Sequence, residues 1–299
     1  MKTRQNSRTA EYMAFFRALE SIRPPGQRLF CDPFAACFLR AGLSRAVRLA
    51  NIPRLRPLIE RYADLRLPGA RTSAIARTKL IDEAWTHAIG DGIRQIVILG
   101  AGFDCRAYRL PGAGRATVFE VDRAAMHALK RERLARVLGE IPKNVRFCTI
   151  DFNRESLPDV LAGSGFDAAM PALFLWEGVT NYLTEEAVDE VLRYVGKCAP
   201  ESRIAFTYVH KGLMDGSVEF FGGTRILRDM TTLGEPWTFG FGPASLPVYL
   251  RDRNLQLDYD AGAREYRLEC FGSRSAKMKG YDFYHVAMVH VAEKLRASK

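Results

Sequence analysis

Apolar and polar positions divide the chain into three textures. Over residues 1–90, apolar side chains recur at helical spacing between turn formers. Residues 10–22 predict a first helix, stopped by Pro24-Pro25-Gly26. Asp32-Pro33 opens a second through Phe34, Phe38 and Leu39, with Gly42 beyond it. Ile75, Leu80, Ile81, Ala84, Trp85 and Ala88 share one face of a third, over 75–89. From 94 to 209 the texture changes to short β-branched or apolar runs at 95–99, 116–121, 145–150, 168–175 and 203–209. Amphipathic segments such as 124–138 and 185–198 separate them. Strands alternating with helices predict right-handed crossovers and a parallel sheet covered on both faces, an α/β fold. Residues 210–250, rich in Gly, Phe and Pro, read as an irregular lid. Strand-forming runs at 255–259 and 283–291, with no evident helix between them, predict a hairpin closing one sheet edge. The expected organisation is one domain over 1–299. It has a helical cap (1–90), a core (91–209), a lid insertion (210–254) and closing strands (255–299).

Composition narrows the class without naming a chemistry. The 299 residues are 47% hydrophobic, 11% aromatic and 26% charged, which excludes disordered and collagen-like chains. The first ten residues are polar and basic, with no apolar run after them, so no secretory signal is expected. The most apolar stretch, 168–176, is far short of the ~20 residues a membrane helix needs. The expectation is a soluble, cytoplasmic protein. Six scattered cysteines form no Cys-x-x-Cys pair, and five histidines include no His-Glu-x-x-His. Neither a disulfide framework nor a metal site is expected. The net charge of +10 suits either nucleic acid or an acidic small substrate. The basic residues read as spread along the whole chain, which does not favour nucleic acid.

Candidate chemistry sits where strands end. The run 95–99 leads straight into Gly100-Ala101-Gly102-Phe103-Asp104. Glycines there permit a tight turn and close approach of a ligand to the backbone. A second strand ends in Asp122, twenty residues after Gly102, where doubly wound folds hold the hydroxyls of an adenosine ribose. A dinucleotide fingerprint would need a third glycine at Cys105, and Asp104 would face the diphosphate, so NAD is disfavoured. S-adenosyl-L-methionine has no phosphate and carries a sulfonium cation that suits nearby carboxylates. Asp151 and Phe152 follow the third strand and suit an adenine, and Glu177 follows the fourth. Plainer roles stand beside these: Arg77 and Asp82 as a surface ion pair, Asp104 as a helix cap, Tyr182 as edge packing.

Several motifs resemble one family. Arg77-x-x-x-x-Asp82, Leu99-Gly100-Ala101-Gly102-Phe103-Asp104-x-Arg106, Arg109-Leu110, Phe119-Glu120-Val121-Asp122 and Glu177-Gly178-Val179-x-x-Tyr182-Leu183 are similar to the leucine carboxyl methyltransferase family, closest to its bacterial branch. The likeness runs over about 9–209 in order, including Arg17-Ala18-Leu19-Glu20 and Asp32-Pro33-Phe34 near its start. It implies a class I methyltransferase (Rossmann-like) fold with a seven-stranded sheet whose last strand is antiparallel. It further implies S-adenosyl-L-methionine as cofactor. Arg77 would hold the methionine carboxylate, and Gly100, Ala101 and Gly102 would form the turn beneath it. Asp122 would take the ribose, Asp151 and Phe152 the adenine, and Glu177 the methionine amino group or sulfonium. Cys105 stands where a Thr is common in the family.

Glu177 and Tyr182 are the catalytic candidates. The expected reaction is in-line methyl transfer to a carboxylate of a small acid or peptide, which requires no strong base. A phenol acceptor would require one, with Tyr182 or His210 available. The alternative is a basic nucleic-acid-binding protein or RNA methyltransferase, although no Asn-Pro-Pro-Tyr-type motif stands at the fourth strand.

Overall fold

The computed structural model describes residues 8–151 and 155–292. Seven strands form one sheet: β1 (Gln95–Leu99), β2 (Thr117–Asp122), β3 (Val145–Thr149), β4 (Ala172–Trp176), β5 (Arg203–Val209), β6 (Leu255–Gly262) and β7 (Tyr284–Val291). Their order is β3-β2-β1-β4-β5-β7-β6. The first five are parallel, and β7 runs antiparallel to both β5 and β6. The chain leaves β1 toward β2 and later returns to β1's other edge as β4. This reversal opens a crevice beyond the carboxyl ends of β1 and β4, where such sheets bind ligands.

The helices are α1 (Arg8–Ser21), α2 (Ala41–Ala50), α3 (Arg56–Arg66), α4 (Ala70–Gly90), α5 (Arg106–Arg109), α6 (Ala124–Leu138), α7 (Leu157–Gly163), α8 (Glu185–Val195), α9 (Lys211–Met214), α10 (Gly223–Thr232), α11 (Leu246–Arg251) and α12 (Ala263–Phe271). Every residue of β1 and β4 is buried, because both faces of the sheet are covered. On one face Val97, Leu99, Phe174 and Trp176 pack with Val188 and Leu192 of α8. On the other Ile96, Ile98, Leu173 and Leu175 meet Ile81, Trp85 and Ala88 of α4. The alternation of the strand residues between those two clusters is the two-residue period of a pleated strand. Thr184 accepts the Ala187 N–H at 3.3 Å and starts α8, helped by Glu185 and Glu186 against the helix dipole. Helix α4 is buried around most of its girth and carries Arg77 to the crevice.

Three expectations need correction. The segment 210–254 is not irregular, since it contains α9, α10 and α11. The two late strands are not a hairpin: α12 and a short 3₁₀ turn (Gly272–Lys277) separate them. Charged residues hide the apolar side of α12, where Tyr266 and Arg267 are buried. The helix expected after Asp32 is only a 3₁₀ turn, Ala35–Phe38, with Asp32 accepting the Ala35 N–H at 3.0 Å. No helix among the described residues is long and apolar enough to cross a membrane.

Candidate functional site

The site starts from the bend after β1. The Gly100 and Ala101 N–H groups both donate to the Val121 carbonyl, at 2.8 and 3.1 Å, tying the bend to β2. Gly100 lies at φ +66°, and a Cβ there would stand 2.5 Å from Val179 Cγ2. Left-handed strain and overpacking together predict that Gly100→Ala loses about 2–4 kcal/mol in a urea melt. Val179→Ala in the same chain should recover part of that loss. Gly102, also at positive φ, has only a 3.7 Å contact for an added Cβ and should suffer less when changed to Ala.

Asp122 clamps the bend from the next strand. Its Oδ2 accepts the Gly102 N–H at 2.7 Å, and its Oδ1 accepts the Arg123 N–H at 2.7 Å. A carboxylate has about four lone-pair sites, so both oxygens keep acceptor capacity toward the crevice. Behind the bend lies a fully buried ion pair, Lys130 Nζ to Glu120 Oε2 at 2.8 Å. Lys130 also donates to the Ala101 carbonyl at 3.4 Å. Burial raises the Glu120 carboxyl and Lys130 opposes that rise.

Beside the bend, two arginines share one carboxylate. Glu177, after β4, meets Arg77 Nε at 3.4 Å through Oε1 and Arg106 at 3.0 Å through Oε2. Arg106 also reaches Asp82 at 2.9 Å and pairs with Asp104. Arg109 holds Asp82 by two further bonds, at 2.7 and 2.8 Å. Arg77 therefore does not pair with Asp82, and neither lies on the surface: both are buried and face different partners. Arg77 instead donates to Ser73 Oγ at 2.8 Å and stacks over the Tyr284 ring at 4.3 Å. Its remaining nitrogen faces Met13 Sδ at 3.7 Å. Asp104 accepts the Arg106 N–H at 2.7 Å from one residue ahead of the N-cap Cys105, so it tethers the start of α5 without being its cap. Burial would raise the Asp104 carboxyl, but Arg106 and Lys130 win and hold it down at about 2.

The glycine bend, Asp104, Asp122, Arg77 and Glu177 border one cavity of about 590 Å³. Arg77, Gly100, Ala101, Gly102, Asp122, Asp151, Glu177 and Tyr182, expected from the sequence to bind the cofactor or act in catalysis, all line it. Phe152 lies outside the described residues, and Asp151 sits exposed at the rim. Arg17 lines the cavity too, with its guanidinium spent on Asp32 at 2.8 Å and the Phe103 carbonyl at 2.6 Å. Cys105 is buried away from it and donates to the Phe103 carbonyl.

The far end of the cavity was not legible in the sequence. It is walled by Trp237, Tyr281 and Tyr284, with Glu235 held by Thr9 Oγ1 at 2.5 Å. The only signal there was the aromatic content of the lid and of the last strand. Burial pushes the Tyr182 hydroxyl up to about 12, so it stays protonated at neutral pH. His210 does not border the cavity; its Nδ1 accepts the Gly212 N–H at 2.9 Å.

Sheet order, antiparallel penultimate strand and crevice define the chain as a Rossmann-like α/β protein of the class I methyltransferase type. The fold is that of a solved structure from Thermobifida fusca YX named as a methyltransferase (TM-score 0.58, 18% identity, 94% of each chain covered). A DUF574 family protein from Streptomyces avermitilis shares it as well (TM-score 0.54, 15% identity, 93% of this chain and 97% of that one). The chain belongs to the leucine carboxyl methyltransferase family, whose model matches residues 10–196. A relative from Mycobacterium avium (strain 104) is 34% identical over 253 residues, covering 84% of this chain and 80% of its own. Another, from Streptomyces coelicolor, is 33% identical over 251 residues, covering 82% and 85%. Both are named as S-adenosyl-L-methionine-dependent methyltransferases.

Proposed function

We propose that the chain is an S-adenosyl-L-methionine-dependent O-methyltransferase acting on the carboxylate of a small acid or peptide. The observation that carries the reading is the convergence of Asp122, Arg77 and Glu177 around the glycine bend in one cavity. That donor set fits the cofactor's groups one by one. A ribose diol needs two acceptor oxygens, which Asp122 presents. A methionine carboxylate needs a cation, and Arg77 lines the cavity with one guanidinium nitrogen against the Met13 thioether at 3.7 Å. An ammonium or sulfonium needs a nearby anion, which Glu177 supplies. Ala101 and Gly102 would leave room along the turn, and Asp151 would border the adenine.

When bound, the cofactor supplies an electrophilic methyl group, and transfer to an oxygen that is already ionised needs no proton removal. The residues agree with that economy. Tyr182 is protonated, His210 is elsewhere, and Glu177 is engaged by two arginines. The chain's work is alignment and the exclusion of water, with the Trp237, Tyr281 and Tyr284 rings seating the acceptor's body. Tyr182 would orient the acceptor by donating its hydroxyl. Tyr182→Phe is then expected to lower kcat about tenfold or less and leave the pH–rate profile unmoved. A base role predicts instead a rate that climbs with pH in the wild type and a profile that flattens in the variant.

The test of the reaction is incubation with methyl-labelled S-adenosylmethionine and candidate acids, followed by mild alkali. Methyl esters release labelled methanol. Label retained as an alkali-stable ether or amine would overturn the carboxylate reading. The matched family and relatives are named for methyl transfer and lend the nucleic-acid alternative no support.

A further inference from the structure

The +10 charge is not spread as evenly as the sequence reading held. Residues 40–66 hold seven arginines (40, 45, 48, 54, 56, 61 and 66) against Glu60 and Asp64. That is a net of 7 − 2 = +5, half the excess in 27 residues. The structure removes even the two acids: Glu60 pairs with Arg23 at 2.5 Å and Asp64 with Arg71 at 2.7 Å, both from outside the segment. Arg45, Arg48, Arg54, Arg61 and Arg66 are exposed and form no ion pair among the described residues.

The same surface carries uncovered apolar side chains. Leu49, Ile52, Leu58, Tyr62 and Leu65 are between 49% and 66% exposed. Arg45, Arg48, Leu49 and Ile52 follow helical spacing off the outer face of α2, and Leu58, Tyr62 and Leu65 do so on α3. The buried sides of these helices, Val47, Ala50 and Ala63, already face the interior. Where α3 ends, a shallow groove continues the surface through Arg66, Leu67, exposed Phe221 and Arg225 to Tyr281. Tyr281 also borders the 590 Å³ cavity.

We infer that the outer face of α2 and α3 docks on an anionic lipid surface. Guanidinium groups flanking leucine, isoleucine and tyrosine are the composition of a helix that lies in the headgroup layer, with its apolar chains just below it. Nucleic acid would match the arginines but leave four aliphatic side chains without a purpose. A symmetric contact between two copies would press arginine against arginine. The inference stands on this surface alone and does not depend on the reaction proposed above.

Sedimentation of the full chain with lipid vesicles at moderate salt tests it. One vesicle set is pure phosphatidylcholine and the other contains a third phosphatidylglycerol. Binding is expected at least tenfold tighter to the second set, and it should weaken as salt rises. Neutralising Arg48 and Arg61 together should weaken it about tenfold to thirtyfold, from the worth of a basic residue near such a surface. Leu58→Asp with Leu65→Asp should abolish it, while the thermal melts of both variants stay those of the wild type. Equal binding or none to the two vesicle sets overturns the inference. So does binding indifferent to Leu58 and Leu65, which would be charge attraction to any polyanion. A solution dimer dissolved by Leu58→Asp would assign the face to a second copy instead.

Discussion

Asp122→Ala is expected to weaken S-adenosylmethionine binding about a hundredfold or more, and to lower stability at the same time. The side chain has two tasks that alanine ends together. It satisfies the Gly102 and Arg123 N–H groups at 2.7 Å each, and in the proposed function it offers the ribose its acceptor oxygens. Hydrogen bonds to a charged group contribute roughly 1.5–3 kcal/mol each, and 1.4 kcal/mol is a factor of ten in affinity. The loss of two such bonds therefore exceeds a hundredfold. Asp122→Asn should recover little, because an amide has one acceptor oxygen and would turn its NH₂ toward one of the two backbone donors. Calorimetric titration and a urea melt of both variants check this. An asparagine variant that binds like the wild type would contradict the assignment.

Arg106→Met should be the most damaging single change to stability, about 3–5 kcal/mol by denaturant titration, the range for breaking a buried ion pair. Arg106 is 3% exposed and holds carboxylates from three parts of the chain: Asp82, Asp104 and Glu177. Asp82 retains Arg109 and Glu177 retains Arg77, but Asp104 loses its direct partner. In the wild type the Asp104 carboxyl is depressed to about 2, so its stabilising contribution is present above its ordinary range near 4 and is lost as pH falls toward 2. In the variant burial is opposed only by the retained backbone N–H of residue 106 and by more distant charges, and the carboxyl should rise. The deficit relative to wild type should then be largest at neutral pH and shrink below about pH 4. A deficit that does not change with pH would mean the hub stabilises by packing alone.

Local features were legible in the sequence; distant meetings were not. The strand runs 95–99 and 203–209 match β1 and β5 at both ends, because buried strands read as unbroken apolar runs between clear stops. Gly100 and Asp122 were legible because two strand ends twenty residues apart follow from one crossover. The arginine hub joins residues 24 and 100 apart, and no local period encodes such a meeting. Helix α3 escaped because its outward face carries Leu58 and Leu65 among arginines, which blurs the amphipathic signal, and α2, amphipathic as it is, spans only ten residues. The lid helices lay among glycines and prolines that read as breakers, and the Trp237 wall forms only once that segment folds over the crevice, where Tyr281 meets it from just before β7.

The reading rests on the glycine bend after β1, Asp122 and Glu177 at the ends of β2 and β4, and Arg77 of α4 gripping S-adenosylmethionine. Isothermal titration of the full chain with that compound, and separately with S-adenosylhomocysteine and NAD, tests it most directly. The account predicts saturable binding of the first two at one site per chain, abolished by Asp122→Ala, and no binding of NAD. A folded protein that gives no heat with either sulfur nucleoside at millimolar concentration, or that binds NAD in their place, would contradict it.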